Sequence, residues 1–427
     1  MKNHVRRIIL CILAVILIFA VSSCATHEES QSVACAIVIG HHNNSSRIDT
    51  DTLIRSIAKE AYTKSGNICI VQSDGTPNVV YDKEGNMIGR LSDDIRSKIE
   101  DGYSQSKNYW DDKINSYIDT LLEDINSIKP DASEFDTLKA IQVAAEAVEQ
   151  MAGAMGQNVS KEIIVCDTGL STSGSLNFSN DTNCRLVNYD GDISTDAKMQ
   201  KKVASLALDL KNKKELSGLE GITVEWYGLG KVADPQPELS NLCRSNLQYI
   251  WEEVLKTANI LCPEDENYGS VFKSAPTDKQ YSYDLTVSVI KRDTLNDIDV
   301  VKIEGFIAGK DMLYSEDTAN DILTTYCNDV LDYYPNMEIL IVGSTASIDA
   351  GSIDLADKRA DKVKHMLVSL GIDSDRIKTI GLGANTPWHA NEYINGRLDE
   401  NMAQKNRAVY ILPFESGLAQ RLYSSNY

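Results

Sequence analysis

The sequence predicts a doubly wound α/β domain over residues 33–262 and an α+β domain over 283–415. Three observations predict it. Continuous apolar runs such as VACAIVIG (33–40) alternate with stretches of helical periodicity, as buried parallel strands and their covering helices do. The segment PEDENYGSVFKSAPTDKQ (263–280) is polar, acidic and broken by Pro and Gly, which sets a linker at 263–282. Some 42% of the chain is apolar, and its 427 residues exceed what one core normally holds.

The first residues, MKNHVRRIILCILAVILIFAVSSC, place Lys2, Arg6 and Arg7 ahead of an apolar run from Ile8 to Val21 and then Ser22, Ser23 and Cys24. The run is too short for a comfortable membrane span of about 20 residues, and the pattern is that of a secretion signal over 1–23. Val21-Ser22-Ser23-Cys24 resembles the bacterial lipobox. That resemblance implies cleavage before Cys24, a lipid on its sulfur, a tether over 24–32, and a location in the cell envelope on the non-cytoplasmic face of a membrane.

After the first strand, Leu53, Ile54, Ile57 and Ala61 recur at helical spacing, and NICIVQSDGTPNVVYDKEG supplies a hairpin. Apolar positions between Ser92 and Ile128 repeat every three to four residues, as in one long helix or a helical pair. A helix at 135–155, the strand KEIIVCDTG, a helix near 197–210, the strand ITVEWYGLG and a helix at 238–258 complete the first domain. In the second, YDLTVSVI (283–290) and DVVKIEGFIAG read as strands. A helix at 316–333, the strand MEILIVGSTA, a helix at 354–370, and the strands DRIKTIGLG and NRAVYIL follow, with the helices on one face of a mixed sheet and a tail over 416–427.

Acidic residues outnumber basic ones 62 to 42 for a net charge of -20, which argues against nucleic acid and anionic headgroups as partners. Cys35, Cys69 and Cys166 lie in apolar runs as buried thiols, whereas Cys184, Cys243 and Cys262 are candidates for one disulfide. His41-His42 lacks a third ligand at useful spacing. Ser171 to Ser175 lacks the lysine of a P-loop and reads as a flexible turn. No nucleophile elbow, zincin helix or paired Cys and base is present, so no catalytic residue, metal or cofactor is expected.

The order strand, helix, hairpin, helix, strand, helix, strand, helix resembles the von Willebrand factor A fold. That family's metal loop after the first strand here reads His41-His42-Asn43-Asn44-Ser45, and its later acid is shifted to Asp167 in Asp167-Thr168-Gly169, so the resemblance implies no metal. In the second domain, Ile339 to Thr345, Leu355 to Val363, Leu370-Gly371-Ile372, Arg376, Gly381-Leu382-Gly383, Pro387 and Asn406-Arg407-Ala408-Val409 resemble the OmpA-like, MotB-like peptidoglycan-associating domain.

That resemblance implies a clamp on the diaminopimelate of a peptidoglycan stem peptide: a carboxylate meets its amine and an arginine forks onto its carboxylate. By motif, Arg359 carries over as the arginine, with Thr345, Asn406 and Arg407 bordering the site. The family's acid falls at Ala346, and the stretch from there to Arg359 is two residues shorter than the family's. If it does not bind a ligand, Arg359 pairs with a helix neighbour, Asp357 or Asp361. The leading expectation is a lipid-anchored envelope protein that docks on the cell wall while its α/β half meets a protein partner. The alternative is a wall hydrolase or transferase that uses Asp167 and His41.

Overall fold

The computed structural model describes residues 32–40, 50–130, 132–156, 158–262, 267–274, 298–349 and 352–425. Cys24 with its signal and tether, the loop His41 to Ser45 and the expected strand 283–290 lie outside the described residues. Among those described, no helix is long and apolar enough to cross a membrane.

In the first half, six strands line up as β3-β2-β1-β4-β5-β6: β1 (Ser32–Ile39), β2 (Asn67–Gln72), β3 (Asn78–Val79), β4 (Val159–Cys166), β5 (Thr223–Tyr227) and β6 (Phe272–Lys273). All neighbours are parallel except β3, which runs antiparallel to β2 as the second arm of the hairpin. Because side chains alternate across a sheet, Ala34, Ala36 and Val38 enter one apolar cluster and Val33, Cys35, Ile37 and Ile39 the other. This two-sided burial is why β1 reads as an unbroken apolar run.

One face is covered by α1 (Thr50–Thr63), α2 (Asp93–Gly102) and α3 (Lys107–Ser127), so the long periodic stretch is a helical pair. The other carries α4 (Thr137–Met155), α5 (Asp181–Val187), α6 (Ala197–Asn212) and α7 (Asn241–Thr257). Their starts are set by side chains that accept orphan main-chain N–H groups, such as Ser92 from Ile95, Asp136 from Lys139 and Ser240 from Cys243.

The second half holds a four-stranded sheet ordered β7-β12-β8-β9, from β7 (Val301–Ile303), β8 (Ile339–Ser344), β9 (Ile377–Gly383) and β12 (Val409–Pro413). β8 and β9 are parallel, and β12 runs antiparallel to both β8 and β7. α8 (Glu316–Tyr326) and α9 (Ile353–Ser369) lie on one face. A small hairpin of β10 (Tyr393–Ile394) and β11 (Arg397–Leu398), then α10 (Glu400–Asn406), precede β12, and α11 (Gly417–Ser424) follows it.

Several expectations are corrected. Part of the expected linker belongs to the first sheet, since Trp226 and Tyr227 pair with Phe272 and Lys273. The expected tail contains α11, started by Ser416, which accepts from the Ala419 N–H. With Phe414 and Trp388 this helix covers Leu340, Val342, Tyr410 and Leu412, so the second sheet is packed on both faces. The helix expected to reach Tyr333 stops at Tyr326 and widens into a π-turn at Cys327–Leu331. Ser171 and Thr172 are buried, and the Ser171 hydroxyl accepts the Thr137 N–H, so this stretch is a fixed buttress for α4. None of the seven described cysteines forms a disulfide; the Cys184 and Cys243 sulfurs each contact the Asn188 amide instead.

The two halves touch. Lys198 and Lys202 on α6 reach the Asp332 carboxylate at 2.6 and 3.3 Å. Lys202 also donates to the Asn328 carbonyl at 2.6 Å and lies over the Tyr333 ring, and the Asp190 N–H donates to the Tyr333 carbonyl at 3.1 Å. A continuous apolar cluster runs through this contact from the first sheet to the second.

Candidate functional site at the carboxyl ends of β8 and β9

α9 lies unusually close to the second sheet. A Cβ on Gly343 would fall 1.8 Å from the Ala356 carbonyl oxygen, and one on Gly381 2.5 Å from the Asp357 nitrogen. Only glycine fits at both positions, and this approach carries Arg359 onto the end of β8. Ser352 fixes the start of the helix by accepting the Leu355 N–H.

Arg359 is fully buried. Its Nε donates to the Lys310 carbonyl at 3.0 Å, Nη1 to the Ser344 carbonyl at 2.9 Å and Nη2 to the Ile307 carbonyl at 3.0 Å, while the guanidinium stands 5.3 Å from the centre of the Phe306 ring. Three of its five N–H donors are thus committed to main chain. Its ionic partner is Asp349, at 3.6 Å, and neither Asp357 nor Asp361. Burial pulls the guanidinium pKa down to about 10, against the opposing pull of the Asp349 carboxylate.

Asp349 closes the one-turn helix Ser347–Asp349 after β8 and serves two arginines. Arg407 Nε donates to it at 2.9 Å and Nη2 at 3.4 Å, and Arg407 Nη1 donates to Glu400 at 2.5 Å. Burial disfavours the Arg407 charge, but the hydrogen bonds it donates to Asp349 and Glu400 outweigh this and its pKa rises. Arg407 follows the last turn of α10 and is almost wholly buried.

Beside this group is a second one. Glu392, 1% exposed, accepts the Ser347 N–H at 2.5 Å and the Asn406 Nδ2 at 2.8 Å. Asn406 also clasps both main-chain groups of Ala390 at 2.8 Å, and His389 Nε2 lies 3.3 Å from the Ser347 hydroxyl and 3.4 Å from Asn406 Nδ2. Burial pushes the Glu392 carboxyl up, yet hydrogen bonds from Asn406 and Ser347 outweigh it and hold it below its ordinary value. Thr345 is fully buried, with its N–H on the Gly383 carbonyl and its hydroxyl without a partner among the described residues.

The OmpA family matches residues 327–399 of this chain. The C-terminal domain is an OmpA-family domain. The chain is 34% identical over 70 residues to a probable lipoprotein YiaD of Escherichia coli, 16% of this chain and 32% of that one. It is 41% identical over 75 residues to outer membrane protein A of Bordetella avium, 17% and 36% of the two chains. The chain thus spans about a third of the length of the curated relatives it matches. Among solved structures it is similar to the peptidoglycan-associated lipoprotein from Burkholderia pseudomallei, at 22% identity and a TM-score of 0.22, covering 26% of this chain and 87% of that one. It is also similar to the cell wall anchor of the T6SS from Pseudomonas aeruginosa, at 18% identity and a TM-score of 0.22, covering 27% and 79%.

Within the OmpA-family domain, Thr345 and Arg359 lie inside the matched residues, and Asn406 and Arg407 beyond them. The fold brings all four to one end of the sheet. Sequence reasoning missed Asp349 as the shared partner of two arginines, and missed Glu392, Glu400 and His389 altogether. In the first half, Asp167 is also buried. It accepts from the Ser73 and Thr137 hydroxyls at 2.6 and 2.8 Å and from the Gly169 N–H at 2.7 Å, tying together the ends of β2, α4 and β4.

Proposed function

We propose that this is a lipid-anchored protein of the bacterial cell envelope that associates non-covalently with peptidoglycan through its OmpA-family domain, residues 283–415, with its α/β half as a partner-binding module. The OmpA-family match over 327–399 carries this reading. Thr345, Arg359, Asn406 and Arg407 are the proposed binding residues, and their gathering at one end of the second sheet supports that assignment.

The lipid belongs on Cys24. A von Willebrand A-like reading of residues 33–262 is supported by a parallel sheet whose hairpin arm alone runs antiparallel, with helices on both faces. The three hydrogen bonds that Asp167 accepts from three different segments favour a knitting role over catalysis, so the first half is read as a binding module. The test is sedimentation of the purified protein with sacculi: pelleting that soluble stem peptide competes away is expected, and a protein that stays in the supernatant overturns the reading. For the anchor, Cys24→Ser should abolish acyl incorporation and release the protein from membranes, since each buried methylene of an acyl chain contributes about 0.8 kcal/mol; unchanged membrane fractionation refutes it.

A further inference from the structure

We infer that a cavity in the first half, between the hairpin over residues 81–87 and α3, receives a lysine or arginine side chain of a protein partner; this rests on the reading of that half as a partner-binding module. The hairpin follows β3 and is held by its own turn. The Asp82 carboxylate accepts the Glu84 and Asn86 N–H groups at 2.9 and 2.8 Å and the Asn86 side-chain amide at 3.0 Å, and Tyr81 pairs with Met87. The chain that follows is fixed at the sheet, where the Tyr62 hydroxyl donates to the Gly89 carbonyl at 2.7 Å and the Asn67 side chain accepts the Leu91 N–H at 2.9 Å. Between this fixed loop and α3 lies a space of about 720 Å³, within the roughly 300–1,000 Å³ of ligand pockets.

The chemistry of its walls selects an amphipathic cation. Buried Ile88, Leu91 and Leu121 give it an apolar floor. Its more open parts carry two tyrosine rings, the exposed Tyr81 and the half-buried Tyr117, and two half-buried carboxylates, Asp82 and Asp124. A lysine or arginine side chain matches both levels: its methylene stem covers apolar surface, and its charged head meets the carboxylates and rings.

Asp124 has no side-chain hydrogen bond or ion pair among the described residues. Burial raises its carboxyl, and the charge of Asp82 raises it further, so a cation held there would relieve the repulsion. Arg90 also lines the cavity, but it is exposed and makes no ion pair among the described residues. An anion would find three carboxylates, Asp82, Asp93 and Asp124, against that one guanidinium, on a chain of net charge -20.

The test is a nuclear magnetic resonance titration of the full chain with three probes: Nα-acetyl-lysine methylamide, its Nε-acetylated form, which keeps the stem and loses the charge, and the corresponding glutamate compound. The lysine probe should shift the amides of Gly85 and Thr120, which line the cavity, and bind roughly fivefold more tightly than its acetylated form. Asp124→Asn should remove that preference and leave the rest of the spectrum native, since no partner of its side chain is lost. Equal binding of the three probes, or shifts confined to other parts of the first half, overturns the site. A preference that survives in Asp124→Asn overturns the role given to that carboxylate. A photo-cross-linker placed in turn at the exposed Lys59, Thr120 and Ser205, on α1, α3 and α6, should capture a protein in cells from Thr120. Capture from Lys59 or Ser205 but not from Thr120 keeps the binding module and overturns this site, whereas capture from none of the three overturns the module and this inference with it.

Discussion

Arg359 stands on the helix position where its motif predicts it, and what surrounds it decides how a substitution will read out. Its donors hold three carbonyls from two separate segments, so Arg359→Ala strands buried acceptors and leaves a cavity. We expect a loss of about 2–4 kcal/mol in unfolding free energy by chemical denaturation, with Arg359→Lys recovering little because an ammonium cannot span three directions. A loss under about 1 kcal/mol would match the surface pairing with Asp357 or Asp361 that the sequence allowed. Glu392 gives a pH signature. Its folded pKa lies below its ordinary value of 4.5, so it adds stability above that pH and loses it as pH falls through the folded pKa. Wild type should therefore lose more stability between about pH 6 and pH 3 than Glu392→Gln, and parallel curves would reject this. Neither partnership was legible in the sequence. Asp349 sits at a spacing from Arg359 that fits no helical pairing, and Glu392 meets Ser347 from 45 residues away.

Elements with a strong apolar period were legible, and those without one were not. β1, β4 and β8 announce themselves because both faces of each are buried, and the paired helices α2 and α3 because one stripe faces a core. The stretch NEYINGRLDENMAQK, by contrast, forms a hairpin and a short helix from residues that are mostly polar, held in place by tertiary contacts such as the one between Asn406 and Ala390. β6 has two residues, too few for any periodicity. α11 does carry a signal in the sequence, the cap Ser416 followed by Leu418, Ala419 and Leu422. Ending the chain at Glu415 removes the cover from Leu340, Val342 and Tyr410. At roughly 25 cal/mol per Å² of apolar surface this should cost about 3 kcal/mol or more, seen as a lower denaturation midpoint and new binding of a hydrophobic dye. An unchanged midpoint would mean that α11 only rests on the sheet.

At the scale of the molecule, the sequence predicts two sheets in the right order but says nothing of how they meet, because the meeting residues are far apart in the chain and each looks like an ordinary solvated charge. Lys198 lies 134 residues before the Asp332 carboxylate it reaches at 2.6 Å. Asp332 is only 8% exposed at its side chain while Lys198 is 57% exposed, so the pair is part buried and part screened by solvent. A protein held to a membrane at one end and to the wall at the other would pass tension through this contact, and its strength then decides whether the halves move together. Asp332→Asn removes the charge common to Lys198 and Lys202 but keeps the shape and the hydrogen bond from Lys202 to the Asn328 carbonyl. The expected cost is about 1 kcal/mol, hence about fivefold faster local opening. The reporter is the Asp190 amide, which donates across the contact to the Tyr333 carbonyl. Its hydrogen exchange should quicken by that factor in Asp332→Asn, and in the wild type at high salt, while amides of β4 keep their rates. If the Asp190 amide exchanges no faster in either case, the apolar cluster alone holds the halves together and the charges are incidental to it.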